Sequence, residues 1–384
     1  MFSSRTRLPA AINVLTERCR SLREAGVPLL DLTSTNPTEV GLFDIEPWLT
    51  ALSSAESAHY RPEPFGLLSA RQAVAQNYAA KGLTIDPRQV VLCSSTSEAY
   101  SWIFKLLTDP GETILVPRPS YPLLEHLATY SDVRTSTYTI AYDGAYFIDI
   151  DSVKQQVTRQ TKGVVSISPN NPTGSFTRRA ELDALLQLDL PIISDEVFSD
   201  YCLQACPPDL PSALGAESSL VFALGGLSKS CALPQLKLAW IVVGGQKDLS
   251  YQALARLEII ADNFLSPNTP VQVALPQLLD FGAQRHAQVK QRLLRNTATL
   301  RRLTENSPVN IWPTHGGWSA VLRLPLTVSD DWALVLLDDQ RVLVQPGWFY
   351  DFTDDRIVVV SLLTEENDFA QGIERLVSRA SRAT

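Results

Sequence analysis

Histidine and cysteine are scarce in this chain of 384 residues, which has four of the first and five of the second. His59, His126, His286 and His315 show no His-x3-His spacing, so a metal centre is not expected. Cys19, Cys93, Cys202, Cys206 and Cys231 are odd in number and form no Cys-x2-Cys pair. A disulfide framework or zinc site is therefore not expected, and reduced thiols are. An excess of basic residues is missing too. The formal net charge is −8, which argues against nucleic acid or an acidic membrane surface as the main partner. No apolar run reaches membrane-spanning length. Arg5 and Arg7 near the N-terminus are not followed by the apolar core of a secretory leader. The expected location is cytoplasmic.

What is present is the composition of an ordinary globular protein, with 45% hydrophobic and 19% charged residues. The length fits two domains rather than one core. Ile12, Leu15, Cys19 and Leu22 have helical spacing over Ala10–Ala25, and Gly26 and Pro28 end that helix. A short strand at Leu29–Leu32 follows. From about residue 65 helices and strands alternate: a helix at Ser69–Lys81, a strand at Val90–Cys93, a helix at Glu98–Leu107 and a strand at Thr113–Val116. Further strands are expected at Gly163–Ile167, Ile192–Ser194, Leu220–Leu224 and Ala239–Val243. These runs are nearly continuous in apolar residues, as in strands buried on both faces, and predict a largely parallel α/β sheet. A long helix at Phe281–Glu305 leads to strands of a smaller α+β unit at Trp318–Leu324, Val342–Val344 and Arg356–Leu362. The end, Ser378–Thr384, is expected to fray.

Five segments stand at the ends of these strands, where open α/β sheets place their ligands. Ser94-Ser95-Thr96-Ser97-Glu98 has capping-box spacing at a helix start, a place suited to phosphate as well as to plain capping. Asn170-Asn171-Pro172-Thr173-Gly174 is a turn with two amides. Asp195 ends a strand, where a carboxylate can face a cationic ring nitrogen or cap the next helix. Lys229 follows Gly225-Gly226-Leu227-Ser228 out of a buried strand; desolvation there would lower its pKa and free the amine, while a solvated lysine is the plainer reading. Pro119-Ser120-Tyr121-Pro122 presents one aromatic ring from a rigid loop.

Singly, each has an ordinary structural reading. In order, with Asn171, Asp195 and Lys229 spaced 24 and 34 residues apart, the set resembles class I/II aminotransferases of the fold-type-I pyridoxal-phosphate enzymes. The resemblance runs from Leu32 to the C-terminal strand. It implies a large cofactor-binding domain (residues 40–268) with a mostly parallel seven-stranded sheet. It also implies a smaller α+β domain made of residues 1–39 and 269–384. The implied activity moves an amino group between an amino acid and a 2-oxo acid through a Schiff base on Lys229, with pyridoxal phosphate as cofactor and neither nucleic acid nor membrane as partner.

By the same resemblance Asp195 pairs with the pyridine nitrogen, Asn171 bonds the ring oxygen and Tyr121 stacks on the ring. Ser94, Ser95 and Thr96 hold the phosphate, and Ser228 belongs to the lysine motif. Tyr60 of the segment Tyr60–Gly66 reaches the phosphate of a neighbouring subunit, which implies a homodimer with shared active sites. The segment Phe264–Gln272 is similar to the link between the two domains.

The chain departs from the family pattern in three places. Lys237 stands where an arginine usually meets the phosphate, and keeps the charge without the two-pronged geometry; Gly226 replaces a nearby serine. Phe198 stands where a tyrosine hydroxyl usually reaches the ring oxygen. Val359 occupies the position of the arginine that binds the substrate carboxylate, and Arg356, three residues away, falls on the other face of its strand. Asn36, Arg323 and Trp348 are then the substrate-binding candidates, with Arg118 and Arg61 as further cations. The missing arginine leaves a lyase, decarboxylase or racemase on the same scaffold as the alternative reading, and a non-catalytic binding protein as a third.

Overall fold

The structure, a computed structural model, describes residues 2–6, 13–43, 48–203, 211–326 and 331–383. Eight strands form one sheet: β1 Val90–Cys93, β2 Thr113–Arg118, β3 Arg134–Tyr142, β4 Tyr146–Ile148, β5 Thr161–Ile167, β6 Ile192–Asp195, β7 Leu220–Gly226 and β8 Ala239–Gly245. Their order across the sheet is β1-β8-β7-β6-β5-β2-β3-β4. The pairs β2–β3, β2–β5, β5–β6 and β6–β7 are parallel, while β8 is antiparallel to β1 and β7, and β4 to β3. Every residue of β1, β6 and β7 is buried, because helices cover both faces. Phe222 and Leu224 pack with Trp102 and Phe104 on one face. On the other, Ala223 packs with Val74 and Leu275, and Val221 with Leu182 and Leu185. The alternation of side chains along β7 produces this division.

A second sheet of four short antiparallel strands contains β9 Asn310–Ile311, β10 Ser319–Arg323, β11 Gln345–Pro346 and β12 Ile357–Ser361, in the order β9-β10-β12-β11. Ala320, Leu322, Val358 and Val360 point to a core shared with Leu293, Leu300 and Phe369. Val321 and Val359 point the other way, onto Tyr350. Leu30–Asp31 pairs with Val342–Leu343 in parallel, which ties the N-terminal segment to this smaller unit.

Several expectations change. The large sheet has eight strands among the described residues rather than seven, because a hairpin turning at Asp143-Gly144 adds β4. The long helix runs from Thr269 to Thr304 and starts twelve residues before the expected Phe281. Asn268 caps it through Val271 N–H (3.1 Å), so half of the expected linking segment is helix. The C-terminal helix continues to Ser381 with Ala380 buried, where fraying was expected. The first helix is seen over Val14–Glu24; its expected start at Ala10 lies outside the described residues. Cys19, Cys93 and Cys231 are free, but Cys202 is disulfide-bonded, against the expectation of reduced thiols throughout. Odd number and missing Cys-x2-Cys spacing do not exclude a single bridge. Among the described residues no helix is long and apolar enough to cross a membrane.

Candidate active site

A cavity of about 290 Å³ opens at the C-terminal ends of β5, β6 and β7. Lys229, Asp195, Asn171, Tyr121 and Thr96 all line it, five residues spread over more than 130 positions of sequence. The parallel sheet brings them together, since each strand delivers its C-terminal end to the same edge.

Lys229 leaves β7 through Gly225-Gly226. A Cβ on Gly225 would lie 2.4 Å from Trp240 Nε1 of the neighbouring β8, so only glycine fits that exit. The turn Leu227–Ser230 follows, closed by Ser230 Oγ on Gly226 O (2.9 Å), and Tyr201 Oη donates to Lys229 O (2.7 Å). The amine Nζ sits 4.5 Å from the Trp318 ring centre and 5.2 Å from that of Phe198. No carboxylate among the described residues pairs with it. Burial pulls its pKa down to about 8, against the opposing pull of Asp195.

Asp195 ends β6. Tyr100 Oη donates to its Oδ2 (2.9 Å) and Val197 N–H to its Oδ1 (3.2 Å). Burial raises its pKa; these two bonds and the Lys229 charge only partly offset that. The adjoining Glu196 turns elsewhere, to Ser194 Oγ (2.9 Å) and Ser212 Oγ (3.1 Å).

The doubled asparagine divides its work. Asn170 Oδ1 accepts from Thr173 Oγ1 (2.9 Å) and braces the turn. Asn171 faces the cavity, where its Oδ1 accepts from Ser319 Oγ (3.5 Å). Gly174 closes the turn at φ +68°, and a Cβ there would lie 2.5 Å from Gly316 O.

At the third element, Ser95 caps the helix Thr96–Leu107 by accepting from Glu98 N–H (3.2 Å). The first-turn N–H groups of Thr96 and Ser97 keep no intrahelical acceptor. Ser94 is different from the expectation: Glu98 Oε2 takes both its N–H (2.7 Å) and its hydroxyl (2.8 Å), and also the Ser266 hydroxyl (2.6 Å). A carboxylate four residues on, one helical turn away, already occupies the donors assigned to phosphate.

Other assigned residues stand off the cavity. Ser95 and Ser228 are half-buried outside its wall. Lys237 is exposed, in left-handed backbone at φ +50°. Tyr60 is 77% exposed. Asn36 Oδ1 is used by Thr38 N–H (3.1 Å) and Thr38 Oγ1 (2.7 Å), and its neighbour Thr35 lines the cavity instead. Arg323 is ion-paired to Asp354 (2.8 Å), as is Arg356 (2.8 Å). Arg118 pairs with Asp351 (3.0 Å). Trp348, 44% exposed, lines a neighbouring hollow of about 430 Å³ that shares Gln345 and Phe349 with the cavity.

Tyr350 and Phe349, which with Trp348 make a candidate aromatic wall after Pro346-Gly347, do line the cavity, while Tyr100, Thr35, Trp318, Ser319 and Gln345 are polar or aromatic lining residues that were not anticipated. Tyr100 had a signal, since it stands four residues after Thr96 on the same helix face. The others come from segments without a recognisable pattern.

The donor set suits a group carrying an aldehyde, a ring nitrogen, a ring oxygen and a phosphate. It offers an amine, a carboxylate, an amide and a helix N-terminus. Two features await such a group: a buried carboxylate with no ion pair among the described residues and an amine held below its usual pKa.

The family model of aminotransferase class I and II matches residues 28–375. Tyrosine aminotransferase of Mus musculus is 27% identical over 282 residues, 71% of this chain and 62% of that protein. Glutamate-pyruvate aminotransferase AlaA of Haemophilus influenzae is 30% identical over 264 residues, 67% of this chain and 65% of that protein. The matches thus span less than two thirds of these relatives' own length. The solved alanine aminotransferase of Pyrococcus furiosus superposes with a TM-score of 0.87 over 100% of both chains at 23% identity, a likeness of fold.

Proposed function

The chain belongs to the class I and II aminotransferase family, and from that premise we propose that it moves an amino group between an amino acid and a 2-oxo acid with pyridoxal phosphate as cofactor. The observation that carries the reading is the convergence of Lys229, Asp195 and Asn171 on one cavity.

When bound, pyridoxal phosphate supplies an aldehyde that condenses with amines and a ring that takes up the electrons of a Cα–H bond. Lys229, with its amine pKa near 8, is free to act as nucleophile and then to take and return the proton at the substrate Cα. Asp195, steadied by Tyr100 and Val197, holds a proton at the ring nitrogen. Asn171 donates its amide to the ring oxygen, and it does so without help from Phe198, which has no donor. Tyr121 covers one ring face. Thr96 and the open N–H groups of its helix would hold the phosphate, with Ser95, Ser228 and Lys237 as the further donors assigned to it. Phe198, Trp318 and Leu124 give the cavity apolar walls that keep water from the amine. Tyr60, exposed on this chain, serves the phosphate of a second copy, so the working unit is a homodimer.

Borohydride reduction of the reconstituted protein, followed by peptide mass spectrometry, tests the cofactor half: attachment at Lys229 is expected. Added without acceptor to a separate, unreduced sample of the reconstituted protein, an amino donor should release one equivalent of 2-oxo acid per site. Attachment elsewhere, or continuous pyruvate release with no acceptor, overturns the reading; the second result would favour an elimination reaction.

A further inference from the structure

A substrate carboxylate taken into this cavity needs partners, because a buried anion without them is costly. Among the described residues the cavity wall carries one cation, Lys229, which the proposed function uses elsewhere. Arg118, Arg323 and Arg356 are engaged with Asp351 and Asp354. The register of the small sheet shows what stands at the vacant cation position. Val359 of β12 pairs with Gln345 of β11 and packs on Tyr350. Gln345 and Tyr350 both line the cavity. Tyr350 is 3% exposed, and its hydroxyl donates to Gln345 Oε1. That bond fixes the amide and leaves its NH2 as the group available to donate.

We infer that this chain grips the substrate carboxylate with a neutral N–H donor, Gln345 Nε2, in place of a guanidinium. The inference rests on the aminotransferase reading. It has a chemical consequence: N–H donors without charge bond a carboxamide oxygen as well as a carboxylate oxygen, so the site tolerates a primary amide where a charged site would discriminate strongly.

Calorimetry on the reconstituted protein tests this without turnover. The probes are 3-phenylpropanoate and 3-phenylpropanamide, which carry no amine and do not react. Wild type should bind the two within about tenfold of each other. Gln345→Glu keeps the chain length and the acceptor for Tyr350 but replaces the donor by an anion. It should weaken the carboxylate about 10- to 100-fold and the amide by less. Gln345→Met, similar in length and without charge or donor, serves as the second variant and should weaken both probes by about tenfold. In steady state, Gln345→Met should raise KM for an amino acid donor and leave kcat within about threefold, while the corresponding decarboxylated amine keeps its KM. Unchanged affinities in both variants, or equal effects on amino acid and amine, overturn the inference. Normal probe binding in a protein that transaminates no donor would instead overturn the aminotransferase reading alone.

Discussion

Two walls of one cavity are built by different means. The wall formed by Lys229, Asp195, Asn171 and Thr96 comes from the ends of buried strands and the start of a capped helix, and it holds the ionisable groups. The facing wall of Trp318, Ser319, Gln345, Phe349 and Tyr350 comes from the small sheet and a short turn, and it is neutral. The first wall is braced by the eight-stranded sheet, where every β6 and β7 residue is buried. Gln345, by contrast, belongs to a two-residue strand, and its neighbour Trp348 is nearly half exposed. Rigid backbone supports the groups that do chemistry, while the side that meets the substrate is free to vary with it.

The sharpest way to break this division is Asp195→Asn. If Asp195 belongs to the chemistry alone, its loss should lower kcat by about 10²- to 10³-fold and leave KM for the amino donor within a few fold. This is the reverse of the pattern expected of Gln345→Met. Steady-state kinetics with one donor compares them directly. A shift in KM without loss of kcat would mean that the two walls do not divide the work as described.

A smaller effect concerns the cost of keeping Lys229 reactive. Its pKa is about 8 in the folded protein and 10.5 as its ordinary value. Between these values the unfolded chain binds more protons, so the stability of the cofactor-free protein should rise with pH from about 8 to 10.5. Below pH 8 the full penalty of burying the charge is present. Lys229→Met should therefore stabilise the cofactor-free protein at pH 7 by about 1–3 kcal/mol and gain nothing near pH 10.5. Urea unfolding at the two pH values measures it. An equal gain at both would trace the effect to packing rather than to charge.

The same contrast explains what could be read in the sequence. Lys229, Asp195 and Asn171 each follow a run of apolar residues that marks its own strand, so position and chemistry are encoded within a few neighbours. The boundaries of β1 needed nothing more. Gln345 and Trp318 are brought to the cavity by pairings between distant segments, such as Gln345 with Val359, that no local pattern announces. The substitution of valine for a cation at position 359 was visible, but what replaces it depends on a strand register. At Ser94 the competition is local: Glu98 takes its donors, and the capping-box spacing that flagged the helix start also held that competitor. Both strands of the hairpin were missed: β3, Arg134–Tyr142, has no continuous apolar run and is mostly exposed or half-buried, and β4 is three residues long.

Arg323 gives the smallest expected effect and the cleanest control for the neutral wall. It was a candidate because a carboxylate without its usual arginine needs another cation, and its strand β10 enters the cavity at Ser319. Ser319 and Arg323 are four residues apart, so they share a face but stand roughly 13 Å apart along the strand. At its own end Arg323 meets Asp354, which Arg356 also contacts. Arg323→Ala should therefore leave kcat/KM for every amino donor within about twofold. It should cost at most about 1 kcal/mol of stability, because the pair is partly exposed and Asp354 keeps Arg356. Donor kinetics and urea unfolding of this one variant check both numbers. A tenfold rise in KM confined to carboxylate-bearing donors would bring a cation back to the substrate side and remove the reason for assigning that role to Gln345.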